Sequence, residues 1–216
     1  MMVLPGRGVV GLITLLALGA AGCESKGPAA SPPTNASPAE APPTKRVVGP
    51  LSDADAAALA TMNDRLKDYI ALHNKLEATL PKLPTNATPI QIDKNQRLLE
   101  EKMRQARASA KQGDIFTPEA TPVIKRLMAT VFGGPEGREL KASIMDENPV
   151  GTKVAVNARY PDTVPVSTVP PPILQTLPKL SEDLEYRFVG DNLIILDSHA
   201  HVIADYIDNA FPKAGQ

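Results

Sequence analysis

A change of hydrophobic period near residue 150 constrains this chain more than any other feature. Before it, apolar residues recur every three or four positions; after it, they alternate or cluster in short blocks between turn residues. A helix returns to one face every 3.6 residues and a strand every two. Both periods, kept in separate halves, predict segregated helices and strands rather than alternating βα units. Ser52 is placed to cap a first helix, with Asp53 and Asp55 at the positive end of its dipole. Its apolar face is Leu59, Met62, Leu66, Tyr69, Ile70, Leu76 and Leu80, and Pro81 and Pro84 stop it. Thr88, Pro89 and Gln91 make a capping box for a second helix. Its stripe is Ile92, Leu99, Met103, Ala106 and Ala110, with Gly113 as the residue past its end. A third helix opens at Thr117-Pro118-Glu119 and closes at Gly133-Gly134; a fourth covers 135–147.

From Gly151 onwards, Val154, Val156, Ala158 and Tyr160 alternate with Lys153, Ala155, Asn157 and Arg159, the pattern of a half-buried strand. A Pro-rich bridge leads into a single turn over 173–177, and three strands follow at 184–189, 193–197 and 202–207. The turns between them are Gly190-Asp191-Asn192 and Ser198-His199-Ala200-His201, too short for anything but antiparallel neighbours. The expected fold is α+β: three to four N-terminal helices packed on a small C-terminal antiparallel meander. Residues 51–216 form one domain in this view, with a helical half at 51–149 and a sheet half at 150–212. Leu193-Ile194-Ile195-Leu196 does not alternate, so the sheet has apolar side chains on both faces. The helices cover one face; either the segment 170–180, with Ile173, Leu174, Leu177 and Leu180, folds over the other, or that face is a partner's landing site.

The first 50 residues obey a different logic. Residues 9–22 are uncharged and apolar, and end in Ala20-Ala21-Gly22-Cys23. At about 1.5 Å per residue this run is too short for a bilayer core of about 30 Å, but it suits a signal peptide. This leader resembles that of bacterial lipoproteins, whose lipobox ends in Leu-Ala-Gly-Cys. The resemblance implies cleavage after residue 22 and a lipid on Cys23. Glu24, standing where Asp would signal retention, implies an outer-membrane position facing the periplasm. Residues 24–50 carry seven prolines and almost no aliphatic bulk, the composition of a disordered tether. A weaker likeness covers Tyr186 to Asp197 with Val202-Ile203. This hairpin resembles the C-terminal hairpin of RcnB-type periplasmic nickel/cobalt-homeostasis proteins and implies nothing about the helical half.

Cys23 is the only cysteine, which excludes an internal disulfide framework, a Cys-rich zinc site and an iron–sulfur cluster. A net charge of −1 argues against a nucleic-acid partner. Chemistry-bearing residues concentrate at Asp197-Ser198-His199-Ala200-His201, with Asp205 on the next strand. Two histidines at i and i+2 point the same way from a strand, and a carboxylate completes a divalent-metal site. The plainer alternative is a solvated turn, and on it no metal ligand is assigned. Ser198 beside His199 has no nucleophile-elbow context, and Gly133 to Gly137 lacks the Lys-Ser/Thr pair of a phosphate loop. His73, on the apolar stripe of the first helix, is expected to be a core or boundary histidine. Six basic residues between Lys94 and Lys111 suit an anionic envelope component, or simply the acidic sheet half, where 181–208 holds seven carboxylates. The function expected is a non-catalytic, membrane-anchored binding or structural module with no cofactor, its partners the membrane and an envelope protein or anionic component. The alternatives are metal binding at His199 and His201, and a hydrolase.

Overall fold

The computed structural model describes residues 51–148, 151, 153–162, 164 and 169–212. The expected signal peptide, Cys23 and the tether lie outside the described residues. Where the chain enters the first helix, Ser52 is extended and its hydroxyl accepts the Asp55 amide at 3.1 Å. Helix α1 then runs Asp53–Glu77 and α2 Pro89–Ala106, the latter with the full Thr88–Gln91 capping box. Helices α3 (Ala120–Phe132) and α4 (Gly134–Asp146) meet at Gly133, and α5 is one turn, Pro171–Leu174. Gly134 has φ +78°, and a Cβ on Gly137 would sit 2.2 Å from the backbone of Phe132. The glycines here serve a tight helix–helix corner.

Strands β1 (Leu184–Val189), β2 (Asn192–Asp197) and β3 (Val202–Ile207) form an antiparallel meander with β2 in the centre. A bulge at Ile195/Leu196 skips Ala204 in the β2–β3 register. The fold is α+β, as the two hydrophobic periods require. The main core joins Met62, Leu66 and Tyr69 of α1, Leu99 and Met103 of α2, and Ile124, Met128 and Phe132 of α3 to one face of the sheet. That face presents Leu184, Tyr186, Phe188, Leu193 and Ile195. Each such side chain contributes about 1.5–3 kcal/mol on burial.

The second face is covered too, though by a different segment from the one expected. Tyr160, with Val154 and Val164, packs on Ile194, Leu196 and Ile203. Val169, Ile173, Leu177 and Leu180 instead belong to the main core. The covering segment is also not the regular strand its alternation predicts. Tyr160 and Ile203 amides bond the carbonyls of His201 and Ala158 at 2.9 Å, but among the described residues only Arg159–Val202 counts as a bridge. Asn157 breaks the strand. It sits at φ +61°, and its side chain closes the end of α2, donating to the Arg107 carbonyl at 2.6 Å and accepting from Arg107 Nη1 at 2.8 Å. The same contact ends α2 at Ala106 rather than near Gly113. At its other end, Ile92 is half exposed rather than part of the buried stripe.

Candidate metal centre

The candidate site grows out of two polar residues placed where the core pattern calls for apolar ones. Ala58, Met62, Leu66, Tyr69 and His73 are the buried positions of α1, spaced four, four, three and four apart. In β2, Asp197 has the parity of Leu193 and Ile195 and so faces the helices. Both His73 and Asp197 are wholly buried. A buried carboxylate is tolerable only when its oxygens are taken up. Asp197 Oδ2 lies 2.7 Å from His73 Nδ1 and accepts the Tyr69 hydroxyl at 2.8 Å. Its Oδ1 accepts the Ala200 amide at 2.7 Å, which fixes the β2–β3 turn. Burial, reinforced by the charge of Asp197, pushes the Tyr69 hydroxyl well above its ordinary value, so it stays a donor. For His73, burial is the largest influence and opposes the charged form. The hydrogen bond and charge of Asp197, with Asp183 and Glu77, outweigh it and raise the ring above the usual histidine value.

The other ring nitrogen of His73, like Nε2 of His201, is a buried histidine nitrogen left over by the hydrogen bonds around it. His73 Nε2 is buried and has no hydrogen-bond partner among the described residues. It points towards Glu77, one turn on at the end of α1, whose Oε2 is 3.8 Å away. Glu77 Oε1 in turn lies 3.1 Å from His199 Nδ1 on the β2–β3 turn. The rings of His73 and His199 are 5.7 Å apart, and one donor atom from each of the three residues lies within 4.8 Å of the others. A tetrahedral ion with bonds of about 2.0–2.2 Å needs donors about 3.3–3.6 Å apart. Closing on an ion therefore requires Glu77 and His199, the two partly exposed members, to rotate towards the fixed ring of His73. Two imidazoles and one carboxylate suit zinc, nickel, cobalt or copper better than magnesium or calcium. Asp197 behind His73 matches the carboxylate that commonly orients a ligating histidine and fixes its tautomer.

The structure therefore separates the two histidines that strand alternation would pair. His201 sits at φ +56°, because the turn has not yet resumed the strand, and its side chain goes to the opposite face. There its ring meets Tyr160 edge-on at 5.9 Å, with Nε2 3.4 Å from Asp162. Burial, then the neighbouring Arg159 guanidinium, pushes its pKa down. Asp205 is not a ligand either. Its carboxylate accepts the amides of Gly113, Ile115, Phe116 and Tyr206 at 2.8–3.0 Å and staples the α2–α3 loop to β3. Burial raises its carboxyl against the pull of those four amides. Ser198 donates its hydroxyl to the Asp183 carbonyl rather than to a histidine. On the basic helix, Arg97 pairs with Asp93 and Asp162, and Arg104 with Glu100; Arg107, just past its end, donates to the Ala204 carbonyl.

Sequence reasoning weighed His199 with His201 and did not bring His73 and Glu77 to it, as the structure does. The available signal was a pair of misfits: a histidine on a core stripe and an aspartate at a core parity, each needing a partner. Compared with protein-family models, with curated proteins and with solved structures, the chain matches none.

Proposed function

We propose that this chain is a lipid-anchored protein of the cell envelope, on the periplasmic side of the outer membrane, whose domain is a non-catalytic module that binds a divalent transition-metal ion through His73, Glu77 and His199. The observation that carries the metal reading is the buried His73 Nε2. It lacks a hydrogen-bond partner among the described residues while the opposite nitrogen is held by a buried carboxylate. Leaving such a group unsatisfied costs about 1–3 kcal/mol. A metal ion shared with Glu77 and His199 removes that cost and ties the end of α1 to the β2–β3 turn. The anchor rests on the apolar run ending in Ala20-Ala21-Gly22-Cys23 and on the proline-rich stretch behind it.

Equilibrium dialysis against zinc tests the metal reading. One ion per chain is expected for wild type, with binding lost in His199→Ala and Glu77→Gln. Equal binding by wild type and both variants overturns it. Metabolic labelling with a clickable fatty acid tests the anchor: the label should mark wild type and be absent from Cys23→Ala.

A further inference from the structure

The three ligands leave the ion incompletely surrounded, and the surroundings define what completes it. On the inner side the Asp197 carboxylate and the Tyr69 hydroxyl are already engaged with one another and with their neighbours. Asp197 Oδ2 serves His73 and Tyr69, its Oδ1 serves the Ala200 amide, and the Tyr69 hydroxyl is spent as the donor to Asp197. Asp183 is not part of the group of donor atoms lying within 4.8 Å of one another. Its carbonyl is taken by the Ser198 amide at 2.9 Å and the Ser198 hydroxyl at 3.1 Å. The open direction is outward, past Glu77 and His199, whose side chains are 41% and 36% exposed.

Charge selects the kind of donor. A divalent ion is balanced by Glu77 among its ligands and by Asp197 behind His73. Those two carboxylates already match the ion's charge, so an incoming anion adds surplus negative charge, whereas a neutral nitrogen donor does not. We propose that the ion at this site keeps one outward coordination position and takes there a neutral imidazole nitrogen from outside the chain, either free or on the histidine of a peptide. This rests on the metal reading above. The site is then built for a ternary complex, in which an ion is received from or passed to another histidine-bearing molecule.

The test uses the full chain in detergent, stripped with a chelator and loaded with one equivalent of cobalt(II), whose visible bands report its ligands. Formation of the bands in wild type and their loss in His199→Ala, with an unchanged melting curve for that variant in chelator, establishes the site itself. Free imidazole, the peptide Gly-His-Gly and acetate are then titrated separately. Saturable band shifts with imidazole or with the peptide, at concentrations where acetate has no effect, support the inference; which of the two acts identifies the source. Cobalt bands that respond to none of the three, or to acetate at least as readily as to imidazole, overturn the open nitrogen-accepting position while leaving the metal site standing. Failure of the bands to form in wild type overturns both.

Discussion

Asp197 and Asp205 are both wholly buried, both on the sheet, and differ in what they do with their burial. Asp205 is closed: four backbone amides surround it, three of them from one loop, and the arrangement ends there. Asp197 is open. It takes one amide, one hydroxyl and one ring nitrogen, and through that ring it holds a second nitrogen, without a hydrogen-bond partner among the described residues, beside two more side chains of metal-ligating type. A buried carboxylate surrounded by backbone is a fastener. A buried carboxylate that grips a histidine by its far nitrogen is placed to orient a ligand. The difference lies in the partner, since burial alone does not distinguish them.

Substitutions can break this contrast, and the largest effect belongs to the closed site. Asp205→Ala orphans amides that nothing nearby can satisfy and is expected to cost about 3–5 kcal/mol. Urea unfolding should show the same loss with chelator and with zinc, because the loop staple is independent of the ion. Asp197→Asn keeps one acceptor but loses the charge that holds Tyr69 and His73, a loss of about 1.5–3 kcal/mol. Unlike the first variant it should also weaken zinc binding, by about 10–100-fold, as removal of a ligand's orienting carboxylate does. A zinc affinity unchanged in Asp197→Asn would show that His73 is not a ligand. The smallest effect is expected for His201→Gly. Glycine relieves the left-handed backbone, and the lost contact with Tyr160 offsets that gain, so stability should move by no more than about 1 kcal/mol. Dialysis should find zinc binding intact in that variant; a loss there would return His201 to the site.

The fold was largely legible because its signals are local. Ser52, Thr88 with Gln91, and the 3–4 spacing of Met62, Leu66 and Tyr69 declare helices within a turn or two of chain. The three strands follow from short blocks between short turns. What was not legible is non-local or lies where a period lapses. Parity places Asp197 on the helix-covered face, and spacing places His73 on the sheet-covered stripe, yet nothing local says that residues 124 apart in sequence meet. The i, i+2 argument for His199 and His201 holds inside a strand and fails in the turn, where His201 adopts φ +56°. Residues 154–160 alternate like a strand, but Asn157 is drawn away by the end of α2, a partner 50 residues earlier.

The central claim is that His73, Glu77 and His199 hold one ion across α1 and the β2–β3 turn, and thermal unfolding tests it most directly. His199 is partly exposed and meets Glu77 at the surface, so His199→Ala should melt with wild type in chelator, to within about 0.5 kcal/mol. Zinc at a hundred times its dissociation constant should stabilise wild type by about 2.7 kcal/mol. For a domain of this size that raises the midpoint by roughly 5–11 °C. His199→Ala should gain nothing at the same zinc concentration. A wild-type midpoint that zinc does not move, or a His199→Ala midpoint that rises as far as wild type, contradicts the account.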